Sequence, residues 1–267
     1  PEVRRTPELA VPRMGHLVRQ QVAAVAVAVP VREIAEPDAV LARLVVLQPD
    51  AGEVIADREQ EVVLSSAEVE ELRRAIGRAG LARAAVLSDY GYGSVTPDLL
   101  PEVRKAVGKE GAIIVDSRFR LGDFAGLDGA TPNEEEAETL LGRPLDDASG
   151  SDILAGCELR DRLGARFLLI TRGSRGMSLF TRDGAAHVPV HGTDQVADVT
   201  GAGDTVIGTF ALALAAGGTP LEAMALANYA GGVVVMKMGT ATVTGEELQA
   251  AISADPRPRL EMTWAAS

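Results

Sequence analysis

From residue 83 onward, the chain alternates apolar segments of strand length with segments that favour helix. The apolar segments are residues 84–87, 112–115 and 167–171. An order of strand, helix and strand favours a parallel sheet with helices packed on its faces. In such a sheet, ligands bind outside the carboxyl ends of the strands. The order therefore predicts an α/β domain with its site at that edge.

The other segments complete this prediction. Residues 176–181 and 185–190 alternate around a glycine turn, which favours a hairpin. The predicted helices are residues 97–107, 133–141, 151–163, 202–217, 220–237 and 245–254. Residues beyond Pro256 are interrupted by proline, so we expect contacts rather than regular structure to hold them.

The N-terminal third has mainly β-segments in place of the alternation of strand and helix. Residues 22–29 favour a strand, and residues 39–48 and 53–64 favour two β-segments joined by a turn. Ser65 then opens a helix, since Glu68 three residues later fits a capping box. We expect one domain over residues 1–267.

Composition narrows the functions open to the chain. Its 267 residues suffice for one large α/β domain, and a net charge of −12 argues against nucleic acid or an anionic membrane as the main partner. Cys157 is the sole cysteine, which excludes an internal disulfide and a cysteine-based zinc site. Neither a signal peptide nor a membrane-length apolar run is recognised, so we expect a cytoplasmic protein.

A glycine-rich turn runs directly into an apolar helix at residues 196–217. Gly201, Ala202 and Gly203 expose their backbone, and unpaired N–H groups at a helix start attract anions. Asp204 would repel an anion unless it has another task, such as taking the proton from a hydroxyl that attacks a phosphate. The alternative is that Asp204 only caps the helix.

Other polar residues follow the predicted strands on the same edge. Asp89 and Asp116 come directly after two of them, and we expect both to contact substrate. Asn133 and Glu136 begin the predicted helix at residues 133–141 and fit a capping box. Alternatively, Glu136 holds a hydrated Mg²⁺, which commonly takes few carboxylates and several waters.

Two further segments have both a structural and a binding interpretation. Thr171, Arg172 and Gly173 form either a glycine turn with solvent-facing arginine or a phosphate contact through hydroxyl and guanidinium. Asp198 is expected to orient the glycine-rich turn by accepting backbone N–H bonds.

The chain lacks Gly-x4-Gly-Lys-Ser/Thr, which excludes a P-loop NTPase.

Taken together, these motifs resemble those of the PfkB, or ribokinase-like, carbohydrate kinases. Residues 198–204, Asp-Val-Thr-Gly-Ala-Gly-Asp, match the family signature Asp-x-x-Gly-Ala-Gly-Asp. Residues 133–136 are similar to its Asn-x-x-Glu element, and residues 171–173 to its Thr-Arg-Gly element. Within the family, the chain most resembles kinases of D-glycero-β-D-manno-heptose 7-phosphate. The segments that carry this likeness are residues 88–93, 116–118, 130–133 and 176–180.

The resemblance implies a fold and a set of ligands. The fold is ribokinase-like: a mostly parallel central sheet flanked by helices, with a small β-lid from residues 5–15 and 39–64. The ligands are ATP, Mg²⁺ and a small sugar or sugar phosphate. In this family a potassium ion can bind near the loop that corresponds to Asp198. Family members also often dimerise through the lid.

The resemblance also implies residue roles. Asp204 would be the base for the sugar hydroxyl, and residues 201–203 would form the anion hole. Asn133 and Glu136 would organise Mg²⁺ and phosphates. The nucleotide would lie against Thr171, Gly173 and Asn228, the last on the adenine side.

The chain departs from the family in two places. Neither the family's first strand ending in Gly-Asp nor its Gly-Gly-x-x-x-Asn sugar-binding element is recognised. Tyr92 stands where heptose kinases typically carry lysine. Two alternatives therefore stay open: a kinase for another sugar or a nucleoside, and a noncatalytic member that binds nucleotide or sugar.

Overall fold

The fold is described from a computed structural model, which covers residues 24–28, 41–48, 51–59, 82–91, 95–145, 151–192, 198–199, 201–239, 241–256 and 260–263. Its strands are β1 (Ala24–Ala28), β2 (Leu41–Gln48), β3 (Ala51–Glu59), β4 (Ala84–Asp89), β5 (Ala112–Ser117), β6 (Gly129–Ala130), β7 (Phe167–Thr171), β8 (Met177–Thr181), β9 (Gly184–Val188) and β10 (Glu261–Thr263).

Six α-helices are described along with these strands. They are α1 (Leu100–Val107), α2 (Glu134–Leu141), α3 (Ser151–Arg162), α4 (Ala202–Ala215), α5 (Pro220–Val234) and α6 (Gly245–Ala254). Three short 3₁₀ turns accompany them: Pro97–Leu99, Leu121–Asp123 and Gly173–Arg175. The predicted helix at residues 97–107 therefore begins with a 3₁₀ turn.

All ten strands form one mixed sheet, in the order β10-β9-β8-β7-β6-β5-β4-β1-β2-β3. Its centre is parallel, because β1 pairs with β4 and the parallel pairing continues through β5 and β6 to β7. Antiparallel strands extend both sides: β2 and β3 on one, β8, β9 and β10 on the other. The parallel centre brings the carboxyl ends of β4 to β7 to one edge, as predicted.

Helices cover both faces of this centre. In β7, Leu168 and Ile170 belong to one buried cluster, while Phe167 and Leu169 belong to the other. Alternate residues of a strand point to opposite faces, so a strand buried on both sides is apolar throughout. This explains why the sequence shows continuous apolar runs. The first cluster includes residues of α1 and α3, and the second includes residues of α4, α5 and α6.

Three helices close their first turn with their own side chains. Asn133 and Glu136 form a capping box at α2, with both hydrogen bonds at 2.9 Å. Thr219 begins α5 and Thr244 begins α6 in the same way. Each box satisfies N–H groups that a helix start leaves without a partner.

In the N-terminal third, the two predicted β-segments are present as β2 and β3. They pair antiparallel with each other, and β2 pairs with β1, so they continue the central sheet. Their role as a lid stays a prediction. Residues 5–15 and the helix predicted from Ser65 lie outside the described residues.

At the other end, the residues after Pro256 include a strand that the sequence did not predict. Residues 261–263 pair antiparallel with β9 and so add an edge strand. Three residues are too few for a recognisable alternation of apolar and polar side chains.

Candidate active site

A cavity of about 220 Å³ lies at the carboxyl edge of the parallel centre, against the start of α4. It is lined by Ser88, Asp89, Tyr90, Asp116, Arg118, Thr131, Asn133, Glu136, Thr171, Gly203, Val206 and Ile207. These residues come from the ends of β4, β5, β6 and β7 and from the first turns of α2 and α4. The fold thus brings together the predicted residues Asp89, Asp116, Asn133, Glu136 and Thr171 with Gly203.

The start of α4 is open towards ligand. Gly201 is the N-cap residue and has a left-handed backbone, with φ +76°, which favours glycine. It offers no side chain to the first N–H groups of the helix. A Cβ placed on Gly203 would meet no heavy atom within 4 Å. Packing therefore does not demand glycine there, and the bare backbone suits an anion.

Asp204 lies in the first turn of α4, beside those N–H groups. Tyr90, at the end of β4, donates a hydrogen bond from its hydroxyl to Asp204 Oδ1 at 3.1 Å. Asp204 is exposed on one side. Partial burial by the surrounding protein nevertheless raises its pKa, and the hydrogen bond from Tyr90 lowers it. An aspartate with a raised pKa is a better proton acceptor.

Asp116 is one of three carboxyl groups that line the cavity, together with Asp89 and Glu136. Burial raises its pKa to about 8, and the negative charges of Glu136, Asp204 and Asp89 add to the shift. Near neutral pH this side chain therefore holds a proton. It can then donate a hydrogen bond, and the cavity carries one negative charge fewer than its carboxyl groups suggest.

The capping interpretation of Asn133 and Glu136 is confirmed by the box at α2. The same two side chains also line the cavity, and Asn133 is bridged to Thr171 by a parallel β-contact. Burial raises the pKa of Glu136, and the charge of Arg118 opposes the rise. Capping and ligand contact are thus compatible.

Sequence reasoning gave no role to Tyr90, Arg118 or Thr131, although all three line the cavity. The hydroxyl of Thr131 is buried and has no hydrogen-bond partner among the described residues. A buried polar group without a partner is costly, which suggests a ligand contact. Position was the available signal for Tyr90 and Arg118, since each follows a predicted strand by three residues, whereas β6, which precedes Thr131, was not predicted.

Asp89 is held by other protein groups. Its carboxylate accepts hydrogen bonds from Ser117 Oγ at 2.8 Å, from the Gly91 N–H at 2.9 Å and from the Arg120 guanidinium at 2.9 Å. The side chain is 1% exposed. It therefore anchors the turn after β4, next to the cavity that it lines.

The nucleotide-side residues are more dispersed. Arg172 is buried and pairs with Glu134 at 2.9 Å and Asp152 at 3.4 Å. Gly173 follows it at φ +56° and opens a 3₁₀ turn. Asn228 is buried in α5 and bonds the backbone at Pro189 and His191. Arg172, Gly173 and Asn228 are not among the residues that line this cavity.

Asp198 accepts a backbone N–H bond from the segment after α5, and its predicted role in orienting the glycine-rich turn stays a prediction. Its carboxylate accepts a hydrogen bond from the Gly239 N–H at 3.0 Å, and its own N–H donates to the carbonyl of Val235 at 3.1 Å. Asp198 thus ties the segment before α4 to the segment that follows α5.

In the part of the chain that the structure describes, no three or more histidine, cysteine, aspartate or glutamate residues are grouped so that they could hold a metal ion. None of the described helices is long and apolar enough to cross a membrane.

The family profile of the pfkB family carbohydrate kinases matches residues 46–246. This chain belongs to that family, which confirms the resemblance predicted from residues 198–204.

Similar sequences agree with that assignment. The bifunctional protein HldE of Chromohalobacter salexigens is 44% identical over 180 residues, covering 65% of this chain and 36% of that protein. The bifunctional protein HldE of Pelobacter propionicus is 40% identical over 205 residues, covering 74% and 41%. This chain therefore spans well under half the length of these relatives.

Solved structures confirm the ribokinase-like fold. Phosphofructokinase-2 from Escherichia coli, in a complex with potassium, aligns with a TM-score of 0.63 at 21% identity, covering 80% of this chain and 71% of that one. Ribokinase from Arabidopsis thaliana, complexed with ribose and ATP, aligns with a TM-score of 0.57 at 23% identity, covering 79% and 69%. At these identities the likeness concerns the fold alone.

Proposed function

We propose that this chain is an ATP-dependent, Mg²⁺-requiring sugar kinase that transfers the γ-phosphoryl group to a hydroxyl of a sugar or sugar phosphate. The proposed reaction converts heptose 7-phosphate to heptose 1,7-bisphosphate. The observation that carries the proposal is Asp204 in the first turn of α4, directly after Gly203, which lines the cavity at the strand ends. The family match and the likeness to HldE proteins support it.

In this proposal Asp204 takes the proton of the attacking hydroxyl as that oxygen bonds to phosphorus. The backbone N–H groups of Gly201 and Gly203 donate to the charge that develops on the transferred group. The Ala202 N–H, predicted to join them, donates to the carbonyl of Val199 at 3.1 Å. Asp116, neutral near pH 7, donates a hydrogen bond to the acceptor sugar. Asp89 keeps the turn beside the acceptor in place.

The donor set fits a hydrated Mg²⁺ rather than a fully protein-bound one, because Glu136 and Asn133 supply few ligands. When bound, the ion supplies charge neutralisation on the phosphate oxygens. Glu136 would hold it through water, and Thr131 would offer the hydroxyl that has no hydrogen-bond partner among the described residues. The nucleotide side is formed by Thr171, Arg172, Gly173 and Asn228. Arg172 acts there through its ion pairs with Glu134 and Asp152, and Asn228 through the backbone that it binds.

Three further features belong to the proposal. A potassium ion would bind near Asp198; the E. coli phosphofructokinase-2 structure is named as a complex with potassium. The protein dimerises through residues 39–64, and it works in the cytoplasm. Comparing rates in potassium and sodium salts tests the first, and ultracentrifugation tests the second.

The decisive test is Asp204→Asn. Turnover should fall by at least roughly two orders of magnitude, because the proton acceptor is lost, while calorimetry should show near-normal ATP binding. Asp183→Asn is a matched control, since it removes a carboxylate from the exposed β8–β9 turn. Unchanged turnover in Asp204→Asn would refute the assigned base.

The acceptor is tested by ADP release from a panel of sugars and sugar phosphates that includes heptose 7-phosphate. Release with heptose 7-phosphate alone supports the proposed substrate. Release with a different sugar or a nucleoside assigns that substrate instead. No release with any of them, despite ATP binding, indicates a noncatalytic family member.

A further inference from the structure

Tyr90 links the end of β4 to the start of α4. Its hydroxyl donates to Asp204 Oδ1 at 3.1 Å, although the two residues are 114 positions apart in the chain. Tyr90 lines the cavity in which the acceptor hydroxyl is proposed to lie. Through this bond it contacts the residue on which the proposed reaction depends.

The turn that carries Tyr90 is fixed by several contacts. Asp89 accepts the Gly91 N–H at 2.9 Å and is itself paired with Arg120. Gly91 has φ +85°, and a Cβ there would come within 2.9 Å of the Phe119 ring. A turn held in this way limits the positions that the Tyr90 phenol can take.

The phenol stays a donor throughout the working pH range. Burial raises the pKa of Tyr90, and the negative charges of Asp204 and Asp116 raise it further. A protonated phenol offers one O–H, and here the Asp204 carboxylate accepts it. Hydrogen bonds to an ionised acceptor are stronger than neutral ones.

Three further ionisable groups line the same cavity. Asp116 lies at the end of β5, Glu136 lies in the first turn of α2, and Arg118 follows β5. Burial raises the pKa of Asp204, and the hydrogen bond from Tyr90 lowers it. A donor placed directly on Asp204 therefore offsets part of the burial effect without adding charge.

We propose that Tyr90 is a positioning residue for the base: it binds Oδ1 of Asp204, keeps the carboxylate ionised and leaves Oδ2 to accept the proton of the substrate hydroxyl. This inference rests on the proposed kinase function. The Tyr90 proton itself is not transferred, so the bond made and the bond broken are those of the phosphoryl transfer alone.

The test is Tyr90→Phe, which removes one oxygen and keeps the ring. The pH below which kcat falls should rise by about 0.5 to 1 unit, because the ionised base loses its donor. At its plateau kcat should fall by about tenfold, because the carboxylate is less well oriented. The KM for ATP should stay near the wild-type value.

Tyr229→Phe is the matched control. It removes a phenol hydroxyl that donates to the carbonyl of Asp255, in a different part of the protein. The acidic limb of its pH profile should coincide with that of the wild type. A purely structural loss of a buried hydroxyl would affect both variants through stability alone.

A second measurement does not depend on activity. The carboxyl ¹³C signal of Asp204, assigned by its disappearance in Asp204→Asn, should titrate at a higher pH in Tyr90→Phe than in the wild type. Two results would overturn the inference: the same titration midpoint in both proteins, or a Tyr90→Phe variant in which only the KM for the sugar changes. If the wild type releases no ADP, the proposed function fails, while the ¹³C titration still decides the role of Tyr90.

Discussion

Replacing Asp116 with asparagine should stabilise the ligand-free protein, and the gain should grow with pH. Asp116 is the most strongly perturbed carboxyl group in the cavity: burial, and then its acidic neighbours, raise its pKa from 3.8 to about 8. The folded protein thus holds a proton that the unfolded chain releases near pH 4. The contribution of this proton to the free energy of unfolding is fully present below that pH and is lost progressively as pH rises towards 8.

The pKa difference sets the magnitude. About four pKa units at about 1.4 kcal/mol each give an upper limit of about 6 kcal/mol. The neighbouring carboxyl groups titrate together with Asp116 and share this cost. We therefore expect Asp116→Asn to gain about 1–3 kcal/mol over the wild type at about pH 9, and little at about pH 5.

Urea unfolding followed by circular dichroism, without nucleotide or Mg²⁺, measures this difference across that range. Asp183→Asn again serves as the control, since it removes an exposed carboxylate and should leave the pH dependence unchanged. Parallel curves for Asp116→Asn and wild type would refute the reasoning. So would a variant that is less stable than wild type at the alkaline end.

Three further predictions separate the roles of neighbouring residues. Gly203→Ala should leave the melting temperature equal or higher, because its Cβ meets open space, while ATP affinity by calorimetry falls roughly tenfold as the anion site narrows. Glu136→Gln should keep the capping box and the stability, while the Mg²⁺ concentration for half-maximal rate increases; an unaltered requirement would mean that Glu136 only caps α2. Asp89→Ala should cost about 3–5 kcal/mol in urea unfolding, because it leaves the Arg120 charge half-buried and unpaired. Adding Arg120→Ala should recover part of that loss, and strictly additive losses would contradict the coupling.

Much of the site was predictable because parallel strands share one edge. Apolar runs of strand length placed Asp89, Asp116 and Thr171 at strand ends, and the structure brings them into one cavity. The capping box of Asn133 and Glu136 was readable too, since it depends on residues three positions apart. Local rules of this kind need no knowledge of the rest of the fold.

Side-chain contacts between residues far apart in the sequence could not be predicted from the sequence. Asp89 was expected to face substrate, and its pairing with Arg120 depends on a turn 31 residues further along. The Tyr90 bond to Asp204 connects two elements with no shared pattern. Asn228 bonds a segment nearly forty residues before it, which no periodicity in α5 indicates. Side chains that join distant segments become visible only once the strands are in order.

The start of α4 has a consequence for folding as well as for catalysis. Helices α2, α5 and α6 each complete their first turn internally, whereas α4 begins at a residue with no side chain. A bound phosphate would accept hydrogen bonds from the N–H groups at the start of α4. The first turn of this helix would then be capped by a ligand rather than by a side chain. Amide hydrogen exchange at residues 203 and 204 should then slow as ligand concentration rises, in proportion to occupancy. The exchange rates at these two residues would therefore measure the fraction of the protein that has ligand bound.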